Sequence, residues 1–253
     1  MDATTGTTDP EPNQPATPPV DPARQRWRLV VARAADARRL AQRETVDAWL
    51  AAIAAAGLPL AKTAGASPRP RLSLGAPLPM DMPAEAELID IVLTERWPAW
   101  RVREALEPVV PEGWQLVRLE DVWLGGPPLA GRVAAADYRI ALAPVDGTPV
   151  AVDAVRDACT QLLQASTLPR ARAKGDRQVS YDLRPLLIDV RVVGDGPPPV
   201  IVARTRFHPE LGNGRPEEVV AALGDALGVT LEMDAVVRAR LLLVDDLHEP
   251  GPG

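Results

Sequence analysis

Residues 26–33, RWRLVVAR, alternate apolar with charged positions and end in a β-branched run, the pattern of a half-buried strand. The next stretch, ADARRLAQRETVDAWLAAIAAAG, changes period: Leu40, Val46, Trp49, Leu50 and Ile53 recur at helical spacing, and Gly57 stands where a helix C-terminus favours a residue without Cβ. LPLAKT and RPRLSLGA then predict two short strands around a Gly-Ser-Pro turn. AELIDIVL predicts another strand, PAWRVREALEPV a helix begun by Pro98, and WQLVRLEDVWL a strand.

This order, β-α-β-β-α-β with one strand in excess, is that of a ferredoxin-like split βαβ unit. It recurs. YRIALAP predicts a strand and VAVDAVRDACTQLLQAS a helix; RARAK with RQVSYDL predicts a short basic hairpin, and PLLIDVRVVG with PVIVARTRF a longer one. RPEEVVAALGDALG predicts a helix with Pro216 in its first turn, and AVVRARLLLV a closing strand. The expected fold class is therefore α+β, with two tandem ferredoxin-like units at 24–124 and 137–244 joined by a linker at 125–136. The Pro-, Thr- and Asp-rich residues 1–23 have too little apolar content to offset the entropy of ordering and are expected to be a disordered tail, as are residues 245–253.

Composition changes this picture in one respect. The chain of 253 residues has net charge −6, which by itself argues against a nucleic-acid partner. The charge is polarised, however: residues 24–75 hold ten bases against Asp36, Glu44 and Asp47, whereas residues 76–125 hold ten acids against four arginines. One cysteine, Cys159, excludes an intramolecular disulfide and any iron–sulfur ligation by this chain alone, and its apolar helical setting predicts a packed small hydrophobe. No apolar run reaches the ~20 residues that span a bilayer, and the N-terminus has no basic-then-apolar leader, so the expected compartment is the cytoplasm with no membrane partner.

The segment LPLAKTAGASPRPRLSLGAPLPM followed by AEAELIDIVL carries a resemblance. It looks like the radical-SAM-associated domain-of-unknown-function family, small proteins standing alone or fused behind a B12-binding-type radical SAM protein. Leu58, Pro59, Ala61, Gly65, Pro68, Pro70, Pro77, Leu78 and Pro79 fit that family's pattern, and Asp182 to Pro185 resemble its Asp-Leu-Arg-Pro. The resemblance covers about residues 26–240 and implies a radical SAM protein as partner. Where the family carries Ser-His-Leu-Asp, this chain has Ala41, Gln42, Arg43 and Glu44; Ala66, Ser67 and Arg69 replace the Phe, Asn and His of its proline motif. A His-dependent chemistry of the family would be missing here. The tandem architecture also resembles that of RNA-binding and RNA-processing proteins of CRISPR systems.

The candidate ligand contacts are cationic. Arg69 and Arg71 lie two apart on an extended, proline-stiffened segment near Lys62, and period two puts both side chains on one side. Arg170, Arg172 and Lys174 repeat the spacing before a Gly-Asp turn, with Arg177 and Arg184 beyond it. In HPELGNGRPEEV a Gly-rich turn enters a helix where Asn213, Arg215 and free N–H groups suit an anion. Together these predict a noncatalytic module presenting a basic cleft to RNA or another polyanion. Two alternatives stand beside it: a metal-independent RNA endonuclease using His208 or Tyr181, and a scaffold that docks a radical SAM protein through proline-rich edges and the acidic stretch 76–125. No catalytic, nucleotide-loop or metal-ligand spacing occurs, so no cofactor and no metal are assigned.

Overall fold

The alternating segment forms β1 (Gln25–Arg33), with Trp27, Leu29 and Val31 buried on one face and Arg26, Arg28 and Val30 on the other. A computed structural model describes residues 22–174 and 177–247, without the side chains of 172–177; of the predicted tails at 1–23 and 245–253, residues 1–21 and 248–253 lie outside the described residues. The first helix, α1 (Gln42–Ala55), starts later than its sequence suggests. The segment before it is tied elsewhere: Ala34 donates to the Gly113 carbonyl at 2.8 Å, and the Arg38 carbonyl accepts from Arg33 at 3.3 Å.

β2 (Leu72–Leu74), β3 (Ala84–Leu93), α2 (Ala99–Leu106) and β4 (Trp114–Val122) complete the first half. The strand in excess disappears, because LPLAKT contributes only the isolated bridges Leu60 to Leu93 and Lys62 to Pro70. The strand order is β4-β1-β3-β2, each pair antiparallel. The second half comprises β5 (Val133–Pro144), α3 (Val152–Gln164), the hairpin β6 (Pro169–Lys174) and β7 (Arg177–Asp182), β8 (Leu187–Val193), β9 (Val200–His208), β10 (Gly212–Asn213), α4 (Pro216–Leu227) and β11 (Leu231–Leu243). Its main strands run β11-β5-β9-β8, again antiparallel, so the order of the first half is repeated.

The two halves share a mixed nine-stranded sheet, joined where β11 meets β3 in parallel at Arg238 and Ala84. Within the stretch expected as a linker, Leu129–Gly131 form a 3₁₀ turn and β5 has begun by Val133. Asp245–Leu247, expected in the tail, form another such turn.

Register fixes which face each helix pair covers. α1 and α2 pack Trp49, Ile53, Val102 and Leu106 on Leu29 and Ile89, whereas α3 and α4 pack Val155, Leu162, Val219 and Leu223 on Tyr138 and Ile140. Val30 and Leu88, a pair on the face opposite to Leu29 and Ile89, belong to the same core as Tyr138 and Ile140. The helices of the two halves therefore lie on opposite faces, leaving each half one face without a helix. Packing is close at the seam, where a Cβ on Gly75 would lie 2.7 Å from Leu241 Cδ1.

Candidate functional site

The sequence-predicted cationic residues fall in separate places. Lys62 and Arg69 are exposed and Arg71 half-exposed on the loop bridged by Lys62 and Pro70, and none of the three has an ion pair among the described residues. Arg71 accepts from the Val92 amide at 3.1 Å. That is eight residues along β3 from the Ala84 seam, or about 26 Å at ~3.3 Å per residue.

The hairpin residues are placed otherwise. Arg170 pairs with Asp225 of α4 at 2.5 Å, with its side chain only 15% exposed. Arg172, Lys174 and Arg177 stand on β6 and β7, but their side chains lie outside the described residues. Arg184 is a structural cap: it donates to the carbonyls of Leu163, Ala165 and Leu187 at 2.8–3.1 Å, satisfying the C-terminal end of α3. Arg170 and Arg184 are thus engaged within the second half itself.

Asn213 and Arg215 do reach a cleft. They face Pro77, Leu78, Pro79 and Met82 across an open space of about 950 Å³ at the seam, with Tyr138, Phe207 and Arg238 on its walls. Gly214 between them is required by crowding, since a Cβ there would lie 2.8 Å from the Leu186 carbonyl oxygen. Arg215 is balanced by Glu217 at 3.7 Å, and two glutamates occupy the first turn of α4, so this end of the helix is not an unopposed anion site. His208 serves the same turn: its Nδ1 accepts the amides of Glu210 and Leu211 at 3.2 and 3.1 Å.

The proline segment 76–82 is strapped down by two buried arginines that sequence reading did not single out. Arg238, 1% exposed, donates to Glu87 through Nε at 2.6 Å and again through Nη2, and to the carbonyls of Pro77 at 2.8 Å and Ala76 at 3.3 Å. Burial works against its charge, but Glu87 more than offsets that and holds the guanidinium pKa above its usual value. Arg33 donates to the carbonyls of Pro79, Met80 and Arg38. Burial lowers its pKa, opposed by Asp81 and Glu87. Burial likewise raises the Tyr138 hydroxyl, against the pull of Arg238. Each cation here is spent on backbone oxygens or a carboxylate, so the Pro-Leu-Pro motif is held in place rather than armed.

The other feature missed from sequence is the helix-free face of the second half. Register puts Arg139 of β5, Arg204 and Arg206 of β9, Arg191 of β8 and Arg240 of β11 on it together. Asp137, 5% exposed, accepts from Arg204 Nε at 2.7 Å and Arg240 Nε at 2.8 Å. Burial pushes its carboxyl up, and the hydrogen bonds from Arg204 and Arg240 overcome this and hold it below the usual range. Arg191 pairs with Asp189 at 2.7 Å and Arg139 with Glu85, while Arg206 has no ion pair among the described residues. Glu232 stands at the far end of this face. The signal was present as arginines spaced by two in VARTRF, whereas in RARLLL a bulge between Arg238 and Arg240 sends the two to opposite faces, which only strand register shows.

Cys159 packs in the core of the second half, where burial pushes its thiol up to about 11. No helix among the described residues is long and apolar enough to cross a membrane.

A family model described as "Uncharacterized protein conserved in bacteria (DUF2344)" matches residues 26–216. No curated protein matches the chain. Among solved structures, a chain of the "Crystal structure of the archaeal box H/ACA sRNP Nop10-Cbf5 complex" is similar at 11% identity and a TM-score of 0.40, over 84% of this chain and 46% of that one. This chain thus spans less than half the length of that structure.

Proposed function

Because the chain belongs to the family described as Uncharacterized protein conserved in bacteria (DUF2344), whose description names no reaction, we propose a function from the site: a noncatalytic binding module that presents the helix-free face of its second half to RNA or another polyanion. In this reading the halves are two ferredoxin-like units fused through one sheet, as their repeated antiparallel strand order supports. The module works beside a radical SAM enzyme that holds its own cluster, a partner suggested by the resemblance of the proline motif. It is cytoplasmic.

One observation carries the reading. Five arginines from four adjacent strands project from a single sheet face on which no helix of the second half packs, and they outnumber the carboxylates among them. Guanidinium forks on a rigid sheet suit phosphate oxygens, and the absence of Phe, Tyr and Trp from the described paired positions of this face predicts binding without base readout. Lys62, Arg69 and Arg71 add a second, weaker basic edge in the first half.

The test is a titration of single-stranded RNA against salt. Affinity should fall as salt rises, with a log-log slope of about −0.7 for each phosphate neutralised. An affinity indifferent to ionic strength would defeat the proposal.

A further inference from the structure

The helix-free face of the first half holds a different kind of site. Arg26 and Arg28 share one carboxylate: Asp90 Oδ2 accepts from Arg26 Nε at 2.9 Å, Arg26 Nη2 at 2.6 Å and Arg28 Nη2 at 3.0 Å, and Oδ1 from Arg28 Nε at 2.8 Å. Arg26, Arg28 and Asp90 are only 6%, 5% and 3% exposed. Two buried cations against one buried anion leave an excess of positive charge in a place where such an excess is costly.

Arg26 is compensated further, since its Nη1 donates to the Gly126 carbonyl at 3.0 Å and its Nη2 to that of Pro127 at 2.9 Å. Arg28 is not. It has five N–H donors, and its Nη1 group makes no hydrogen bond to the described residues. Glu120 stands opposite Arg28 across the β1–β4 pair, makes no hydrogen bond to it among the described residues, and pairs through Oε1 with Arg118 at 2.6 Å.

Arg26 and Arg28 line an open cleft of about 610 Å³ whose other walls include Trp123, Gly126, Pro127 and Arg132. Arg132 is paired with Asp245, which also lines the cleft, so a phosphate there has to displace that carboxylate from Arg132. Trp123 is 78% exposed, and its ring rests on the Gly-Gly turn, where a Cβ at Gly125 would lie 2.9 Å from it. The cleft thus combines an under-compensated guanidinium with an exposed indole.

We propose that this cleft binds a nucleoside phosphate, with the phosphate on Arg28 and Arg132 and the base stacked on Trp123. The site lies in the other half and on the other sheet face from the arginine surface proposed for polyanions, so either can fail without the other. The same chemistry is offered by a free nucleotide and by the 5′-phosphorylated end of an RNA.

Calorimetric titration with adenosine 5′-monophosphate, adenosine and inorganic phosphate tests the site on the full chain. The nucleotide should bind about tenfold more tightly than either fragment, and Trp123→Ala, a surface change, should weaken it by about tenfold. Arg28→Gln should abolish the phosphate's share, and Arg132→Ala should reduce it in a protein whose fold is untouched. Nucleotide binding should survive Arg191→Ala and Arg206→Ala. If the source is an RNA end, a short 5′-phosphorylated oligonucleotide will outbind its 5′-hydroxyl twin in a Trp123-dependent way. Absence of binding by both the nucleotide and the phosphorylated oligonucleotide at millimolar concentration, or binding unaffected by Trp123→Ala and Arg132→Ala, would overturn the proposal.

Discussion

Asp90 in the first half and Asp137 in the second each serve two arginines on neighbouring positions of the sheet, yet their surroundings differ. The Arg26 and Arg28 side chains are 7% and 6% exposed, under the turn whose Gly126 and Pro127 carbonyls accept from Arg26. Arg204 and Arg240 are 17% and 42% exposed, and among the described residues no segment folded over them supplies a hydrogen bond. One motif of two guanidiniums and a carboxylate is therefore a buried frame where residues 123–132 cover it and a more open surface where no described segment does. The covering loop, and not the strand sequence, decides between the two.

The largest expected effects come from the frame and the seam. Arg238→Met leaves Glu87 buried without its partner and should cost about 3–5 kcal/mol, read from the urea midpoint, while adding Glu87→Met should return most of it. Asp90→Asn strands two buried cations and should cost about 3 kcal/mol. Asp137→Asn should cost less, because the exposed arginine it serves is screened by solvent. Equal losses at Asp90 and Asp137 would erase the distinction between the halves.

A pH series sharpens the same contrast. The Asp137 carboxyl is held below its ordinary value, so the stability it contributes is present in full above the unfolded-state carboxylate range and is lost as the pH falls through the depressed folded-state value. Asp137→Asn should therefore flatten the acid limb of the stability profile. An acid limb unchanged by this substitution would contradict the assignment.

On binding, Arg191→Ala with Arg206→Ala should weaken RNA about tenfold and make the salt slope shallower by about 1.4, whereas Arg69→Ala with Arg71→Ala should change both by less. A larger loss from the Arg69 and Arg71 pair would transfer the surface to the first half.

Much of the chain's organisation is legible before any coordinates. Alternation predicts β1, β3 and β9, the helical period predicts α3 and α4, and the repeat of the strand order follows from the element sequence. Two things are not. Trp49 and Ile53 share the helical period with Leu40, but the segment before α1 is tied at Ala34 to the distant Gly113 carbonyl, which no local pattern encodes. Nor does spacing show partners: Arg184 and Arg170 read as free cations, yet one caps α3 and the other pairs with Asp225. Arg204 and Arg206 read as ordinary strand residues, although it is their shared face with Arg139, Arg191 and Arg240 that assembles a surface. Charges in loops are conspicuous in a sequence, while charges gathered across a sheet become visible only with register.

Crosslinking of single-stranded RNA to the protein, mapped by mass spectrometry, tests the central claim most directly. The account predicts contacts on β8, β9 and β5 around Arg191, Arg206 and Arg139. Contacts confined to the 62–71 loop or to the β6–β7 hairpin, with none on that sheet face, would contradict it.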